Sequence, residues 1–313
     1  MLYVARRLIS LTITLVVVSI IVFFLFQIIP GDPALTILGM DADEAQLAAL
    51  RAQLGTDQPL LIRYTEWGKG ILKGDAGQSL RFSMPVTDLI KSRLPVTLLL
   101  SAMALAMAVV IAIPLGVIAA RSHGKWSDYV ISIITQLGMA IPSFWLGIIL
   151  ILIFGVKLQW FRAGGYVPWA DSPMGSVKSL FLPAVAIAIP VIATIVRYLR
   201  TTVIEQLKLD YVRTAYSKGL SRKSTVYRHV LKNSLIPVIT VMGMIIASIL
   251  GGSLVIEQVF ALPGIGRLLV SSISYRDFYL VQGMVMYIAM AIILINFLVD
   301  IIYTFLDPRI KLR

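Results

Sequence analysis

Side chains that could do chemistry are few in this chain, and they are scattered. It holds two histidines, His123 and His229, and no cysteine in 313 residues. A thiol nucleophile, a thiolate metal site and a disulfide are therefore excluded. No Ser/His, His/His or paired-carboxylate arrangement falls inside an apolar segment, so the common constellations for hydrolysis and proton transfer are missing. The Gly-x4-Gly-Lys-Ser/Thr loop that cradles nucleotide phosphates is absent too. Met84 and Met174 stand far apart, and no cluster has metal-ligand spacing. The expectation is a chain with no catalytic residue, no cofactor and no metal.

The functional residues concentrate instead in a basic loop between two apolar stretches, residues 205–237. Asp210-Tyr-Val-Arg213-Thr214-Ala215-Tyr216-Ser-Lys218-Gly219-Leu220 reads as a short helix with both ends marked. Asp210 is the expected N-cap, Lys218 sits in the last turn, and Gly219 occupies the left-handed position past the end. Leu209, Val212, Ala215 or Tyr216, and Leu220 fall on one face, with Arg213 and Lys218 off it. Such a helix is suited to the grip of a soluble partner; a plain positive loop with a surface helix is the alternative.

The elements that must position this loop are membrane spans. The chain is 58% hydrophobic and 14% charged, which is not the balance of a soluble domain. Six stretches carry no charge: Leu8–Ile29, Leu94–Ala120, Tyr129–Val156, Ser179–Val196, Asn233–Ile256 and Phe278–Val299. The shortest has 18 residues and a bilayer core needs about 20 helical residues, so six transmembrane helices are expected. With the N-terminus inside, 16 of the 28 basic residues and five acidic ones face the cytoplasm, net +11 against +1 outside. Both termini are therefore expected inside. The positive charge is then an orientation signal on the inner face, with no call for nucleic acid.

Residues 30–93 form a mixed-charge segment outside the membrane. Asp43 is expected to cap a helix that carries Leu47, Leu50 and Leu54 and ends at Gly55, and Pro59 to start another with Tyr64 and Trp67. Further on, Pro114, Pro142 and Pro190 lie inside the second, third and fourth apolar stretches and should kink them. Gly243, Ala247 and Gly251 recur every four residues in the fifth stretch. That stripe allows close helix approach, either within the chain or as a seam with a partner. Glu257 and Asp300 sit at the ends of apolar stretches and are expected to cap or pair there.

A colinear series carries a family resemblance. Arg6-Arg7 precede the first stretch, and Pro30-Gly31-Asp32-Pro33 and Leu54-Gly55-Thr-Asp57-Gln-Pro59-Leu60 follow it. Then come Tyr64, Trp67, Gly74-Asp75-Ala-Gly77-Gln-Ser79, Pro85-Val86, Arg93-Leu94-Pro95, Ile141-Pro142-Ser-Phe144-Trp145-Leu146-Gly147, Pro263-Gly264-Ile-Gly266-Arg267 and Arg276-Asp277. Together with Arg213-Thr-Ala215-x3-Gly219, this resembles the permease subunits of dipeptide, oligopeptide and nickel ABC importers over essentially the whole chain. Arg213 and Lys232 depart from the wider loop consensus, which has glutamate and proline there.

The resemblance implies an all-α membrane protein: a type I permease core over residues 94–304, preceded by an N-terminal helix and extracytoplasmic insert over 1–93 and followed by a tail, 305–313. It implies a second homologous permease, one or two ATPase subunits gripping the loop of Asp210, Arg213, Thr214, Ala215, Tyr216, Lys218 and Gly219, and an external solute-binding protein. Pro142, Gly243, Ala247 and Gly251 are the residues expected beside the path or the partner permease. The expected setting is the lipid of the bacterial inner membrane and the expected cargo is di- or oligopeptide, with nickel complexes or glutathione as alternatives. An ion-coupled transporter is the rival from another class, weakened because no charge lies mid-span.

Overall fold

The computed structural model describes residues 2–28, 33–39 and 42–306. The Pro30-Gly31-Asp32 motif, the tail beyond residue 306 and the side chain of Asp300 lie outside what it describes. The described helices are α1 (Leu2–Ile28), α2 (Pro33–Leu38), α3 (Glu44–Leu54), α4 (Leu60–Leu72), α5 (Val86–Arg121), α6 (Trp126–Ala140), α7 (Ser143–Leu150), α8 (Pro173–Gln206), α9 (Asp210–Ser217), α10 (Arg222–Thr225), α11 (Leu231–Val259), α12 (Ile265–Ser274) and α13 (Phe278–Leu306). Residues Ile151–Lys157 extend α7 in π-helical turns, and Val226–Val230 join α10 to α11 in the same way. Five of the helices are each long and apolar enough to cross a membrane, and α6 with α7 and its extension makes the sixth of the expected spans if that bent pair is one crossing.

The third apolar stretch is not one kinked helix. It breaks into α6 and α7 with its π extension, which are bent by 98°. Proline is the cause. Pro142 has no N–H for a helix bond, and its ring drives Ile141 out of the helical region, to φ −82 and ψ 123. Pro142 then sits just before α7, its carbonyl accepting from the Leu146 N–H at 3.1 Å. Pro114 and Pro190 do lie inside α5 and α8, along with Pro95 and Pro183.

The chain divides into two compact units. One comprises Met1–Leu94 with Leu268–Ile293. Here Phe23 of α1 meets Tyr64 and Trp67 of α4 with ring centroids 5.3 and 5.7 Å away, and Ser19 Oγ lies 2.9 Å from the Tyr64 hydroxyl. Gly55 ends α3 in the left-handed region, φ 66, with Thr56 N–H reaching back to the Arg51 carbonyl. Asp43 has the backbone of an N-cap but its side chain caps nothing. The glycine-punctuated segment is tied down by Ser79, whose hydroxyl donates to the buried Asp277 carboxylate. The Arg81 N–H also reaches that carboxylate, at 3.3 Å.

Pro95–Arg267 with Leu294–Arg313 make the other unit. Its central element is α8, buried over 61% of its most apolar window against 11% for the window in α1. It packs against α6, α7 and α11. Gly116 of α5 lets Leu199 of α8 approach, since a Cβ there would stand 3.0 Å from the Leu199 side chain.

Candidate functional site

The candidate docking helix, α9, is built from local rules. Leu209, extended at φ −77 and ψ 151, occupies the N-cap position. Asp210 is therefore the first helical residue and not the cap expected from its type; its carboxylate is almost fully exposed, 3.7 Å from Arg213 Nη1. It still complements the positive helix end from the first turn. The C-terminus closes as expected. Gly219 stands at φ 80, its N–H donating to the Tyr216 carbonyl at 2.9 Å, and Leu220 N–H reaches Ala215 O at 3.2 Å. That pair of bonds is a Schellman closure, which requires the left-handed residue.

Burial sorts the helix faces. Val212 and Ala215 are buried, and Leu220 is half-buried. Of the alternatives Ala215 and Tyr216, alanine takes the inner position, while Leu209 and Tyr216 are exposed. The Tyr211 hydroxyl donates to Gln206 Oε1 at 2.8 Å, tying the helix to the end of α8. Arg213, Thr214, Lys218 and Gly219 are left facing out. The Thr214 hydroxyl turns back to the Asp210 carbonyl at 3.0 Å. An exposed, largely basic face is thus held on a fixed apolar one.

A second feature is a cavity of about 340 Å³ between α7, α8 and α11. Its lining is apolar, from Ile187, Val191, Val241, Met244, Ile245 and Ile249, with hydroxyls of Ser143, Thr194, Tyr198 and Ser248 and no charged side chain. None of Pro142, Gly243, Ala247 and Gly251 lines it. The row Met244, Ser248 and Gly252 does, one residue on from the small-residue stripe and so rotated about 100° around the helix. Gly243 instead packs within the chain, where a Cβ would stand 3.1 Å from Val299 of α13, whereas Gly251 faces open space. The signal that finds the lining is the polar-small row beside the stripe. The glycine spacing alone misses it.

Two buried charge sites complete the picture. Glu257, with no exposed surface, accepts from the Thr97 hydroxyl at 2.6 Å, from Gly266 N–H at 2.7 Å and from Arg267 N–H at 3.3 Å. Thr97 Oγ1 in turn accepts from Ile265 N–H at 3.0 Å. The carboxylate thus caps the start of α12; of the two roles expected for it, capping or pairing, it takes the first. A Cβ on Gly264 would overlap that carboxylate, which explains glycine in the Pro263-Gly264-Ile-Gly266-Arg267 segment. Sequence reasoning missed the other site. Asp128 is buried and takes Arg200 Nε at 2.6 Å and Nη2 at 2.8 Å, a two-pronged pair, with His123 Nδ1 3.2 Å away. Separations of five and 72 residues leave no local pattern to read.

An apolar cavity among long apolar helices, beside a pair broken at Pro142, with an amphipathic helix in a loop, is the arrangement of a multi-pass helical membrane protein. The chain belongs to the family described as binding-protein-dependent transport system inner membrane component, whose model matches residues 112–312; the companion N-terminal model matches residues 1–101. It is 42% identical over 297 residues to a Brucella abortus (strain 2308) protein named for a role as peptide transport system permease, covering 95% of each chain. It is also 37% identical over 311 residues to the glutathione transport system permease protein GsiC of Escherichia coli (strain K12), covering 99% of each.

Among solved structures, the fold matches an inward-facing form of the MetNI methionine ABC transporter, with TM-score 0.58 and 16% identity over 70% of this chain and 96% of that one. An amino acid ABC transporter crystallised with histidines matches with TM-score 0.51 and 17% identity, over 72% and 95%. The protein is accordingly an inner-membrane permease component of an ABC importer that works with a binding protein. It is not itself an enzyme: ATP hydrolysis belongs to separate subunits.

Proposed function

We propose that this chain forms one half of the translocation path of a heterodimeric importer for di- or oligopeptides. A second, homologous permease supplies the other half, an extracytoplasmic binding protein delivers cargo, and one or two ATPase subunits grip α9 from the cytoplasm. Both termini lie inside; residues 1–93 are the N-terminal helix and external insert, 94–304 the permease core and 305–313 the tail. The observation that carries the coupling role is α9 itself, with its inner face buried, its C-terminus closed by Gly219 and its basic face free. The mechanism is alternating access. ATP binds the closed ATPase pair more tightly, and only that difference in affinity can shift the permease between its two states. A helix fixed at its inner face and C-terminus transmits the shift.

The peptide assignment is supported by the relatives, one named for peptide and one for glutathione, a tripeptide. The uncharged cavity disfavours an ion-coupled carrier, which would be expected to place ionisable groups along its path. Gly251, open on α11, remains the residue of the stripe suited to the partner permease, with Ala247 beside it. The direct test is uptake by the chain reconstituted with its partner permease, ATPases and binding protein in liposomes. ATP-dependent accumulation of a labelled di- or oligopeptide is expected. Accumulation of a nickel complex alone, or uptake driven by an ion gradient without ATP, would overturn the assignment.

Orientation has its own check, because the chain lacks cysteine. A single cysteine at exposed Lys73 should react with an impermeant maleimide in intact cells, and one at Ser221 only after permeabilisation. The reverse pattern would invert the topology. Ser79, also in the insert, is buried and bonded to Asp277, so it is a poor reporter.

A further inference from the structure

Helix α4 of the insert meets α1 inside the first charge-free stretch. The Tyr64 hydroxyl lies 2.9 Å from Ser19 Oγ, and the centroids of the Tyr64 and Trp67 rings stand 5.3 and 5.7 Å from that of Phe23. A further ring contact marks where that stretch ends. Phe26 stands 6.0 Å from Phe278, the first residue of the charge-free stretch of α13. Two spans thus end at one level. Phe23 lies three residues inward of Phe26 and Ser19 seven, about 4.5 and 10 Å along the helix. The aromatic face of α4 therefore reaches beneath the level at which charge gives way to hydrocarbon. Its deepest polar atom, the Tyr64 hydroxyl, is paired with Ser19, as a hydroxyl out of reach of water must be.

The rest of α4 is sorted around that face. At about 100° per residue, Leu60, Tyr64, Trp67 and Ile71 share the side toward α1. Leu61, Thr65, Gly68 and Leu72 form the strip beside it. That strip is uncharged and stands largely open: Leu61 is 71% exposed and Leu72 89%. Arg63, Glu66 and Lys69 lie together on the remaining arc. The uncharged arc is thus wider than the contact with α1, and no residue of α4 is buried within the chain. The span it leans on is itself the least buried of the five long apolar helices.

We propose that α4 is an interfacial helix seated in the outer leaflet. Leu61 and Leu72 enter the acyl chains, Tyr64 and Trp67 stand at the boundary, and Arg63, Glu66 and Lys69 face headgroups and water. Lipid is the occupant of the open strip because Ser19 and Phe23 fix the depth of the face beside it, where a soluble partner does not reach. The confinement of all three charges to the opposite arc agrees with that placement. Part of the insert is then held in the bilayer surface, where the sequence suggested a segment standing in water. Naming the outer leaflet rests on the topology proposed above; the depth does not.

The test is spin-label accessibility in the full importer complex, held in nanodiscs of phosphatidylethanolamine and phosphatidylglycerol. The chain has no cysteine, so Leu61→Cys, Leu72→Cys, Glu66→Cys and Lys69→Cys each place one label on α4, and the wild-type complex treated with the same reagent gives the background. Labels at Leu61→Cys and Leu72→Cys should be severalfold more accessible to oxygen, which concentrates in hydrocarbon, than to water-borne chromium oxalate. Labels at Glu66→Cys and Lys69→Cys should show the reverse. Equal access of chromium oxalate to all four would put α4 in water and overturn the proposal. Shielding of Leu61→Cys and Leu72→Cys from both probes would also overturn it, because protein would then cover the strip. Reversed sidedness of the cysteine at Lys73 would refute the topology alone, and the ratio of the two probes would still decide whether α4 sits in lipid.

Discussion

The two short amphipathic helices α9 and α12 satisfy their unpaired ends in opposite ways. At the start of α12 a buried carboxylate, Glu257, and a buried hydroxyl, Thr97, take the first N–H groups. At the start of α9 the acidic residue Asp210 caps nothing and lies in water. Both helices end in a Schellman closure, but α9 uses Gly219 at φ 80 whereas α12 uses Arg276 at φ 55. A residue with a Cβ costs about 1 kcal/mol or more in that region. In α12 the next residue, Asp277, is buried and bonded to Ser79, so the surroundings hold the strained turn in place. After α9 the next residue, Leu220, has no side-chain hydrogen bond to hold a strained turn, and glycine removes the strain instead. One helix is locked by buried charge; the other keeps its charges outward, as a surface must if a partner is to read it.

The comparison can be broken first at the buried charges. Arg200→Met leaves Asp128 buried without its guanidinium and should destabilise the folded protein by about 3–5 kcal/mol. That effect would appear as a large fall in melting temperature of the detergent-solubilised complex, or as loss of expression. Glu257→Ala removes the acceptor for two N–H groups and a hydroxyl and should cost about 3 kcal/mol, whereas Asp210→Ala should change stability by less than about 0.5 kcal/mol. Equal melting shifts for Glu257→Ala and Asp210→Ala would erase the distinction between the two helices.

Smaller effects sharpen it. Arg276→Gly relieves the left-handed turn and should stabilise or leave unchanged, by up to about 1 kcal/mol, because the gain in the fold is partly offset by a more flexible unfolded chain. A clear loss of stability would mean that the Arg276 side chain is itself required. Arg213→Glu should leave stability within about 0.5 kcal/mol of wild type yet lower peptide uptake, since it reverses charge on the face proposed to meet the ATPase. Unchanged uptake would remove that side chain from the contact.

Much of this was legible in the sequence where the rule is local. The charge-free stretches, the Gly55 and Gly219 closures and the inner positions Val212, Ala215 and Leu220 follow from composition and spacing within one or two turns; Leu209, expected on the same face, is exposed because it is the extended residue before the helix. Pro142 was legible as a disturbance but not as a 98° break, because whether a proline kinks or ends a helix depends on what re-satisfies the freed carbonyls. Asp210 was misplaced by one residue, since N-cap identity is set by backbone angles and the chain gave that position to Leu209. The cavity lining and the Asp128–Arg200 pair were not legible. A small-residue stripe marks one side of a helix without saying which neighbour it meets, and a pair 72 residues apart is created by packing alone.

The central proposal is that ATP hydrolysis moves the permease through α9. Gly219→Val isolates that role, because a Cβ at Gly219 would meet no neighbouring atom within 4 Å and the penalty falls on the backbone turn alone. In liposomes holding the whole complex, cargo-stimulated ATP hydrolysis and peptide uptake should be measured together for this variant and the wild type. Normal insertion and assembly are expected, with both activities falling in parallel, several-fold or more. Wild-type uptake and wild-type stimulated hydrolysis in Gly219→Val would contradict it.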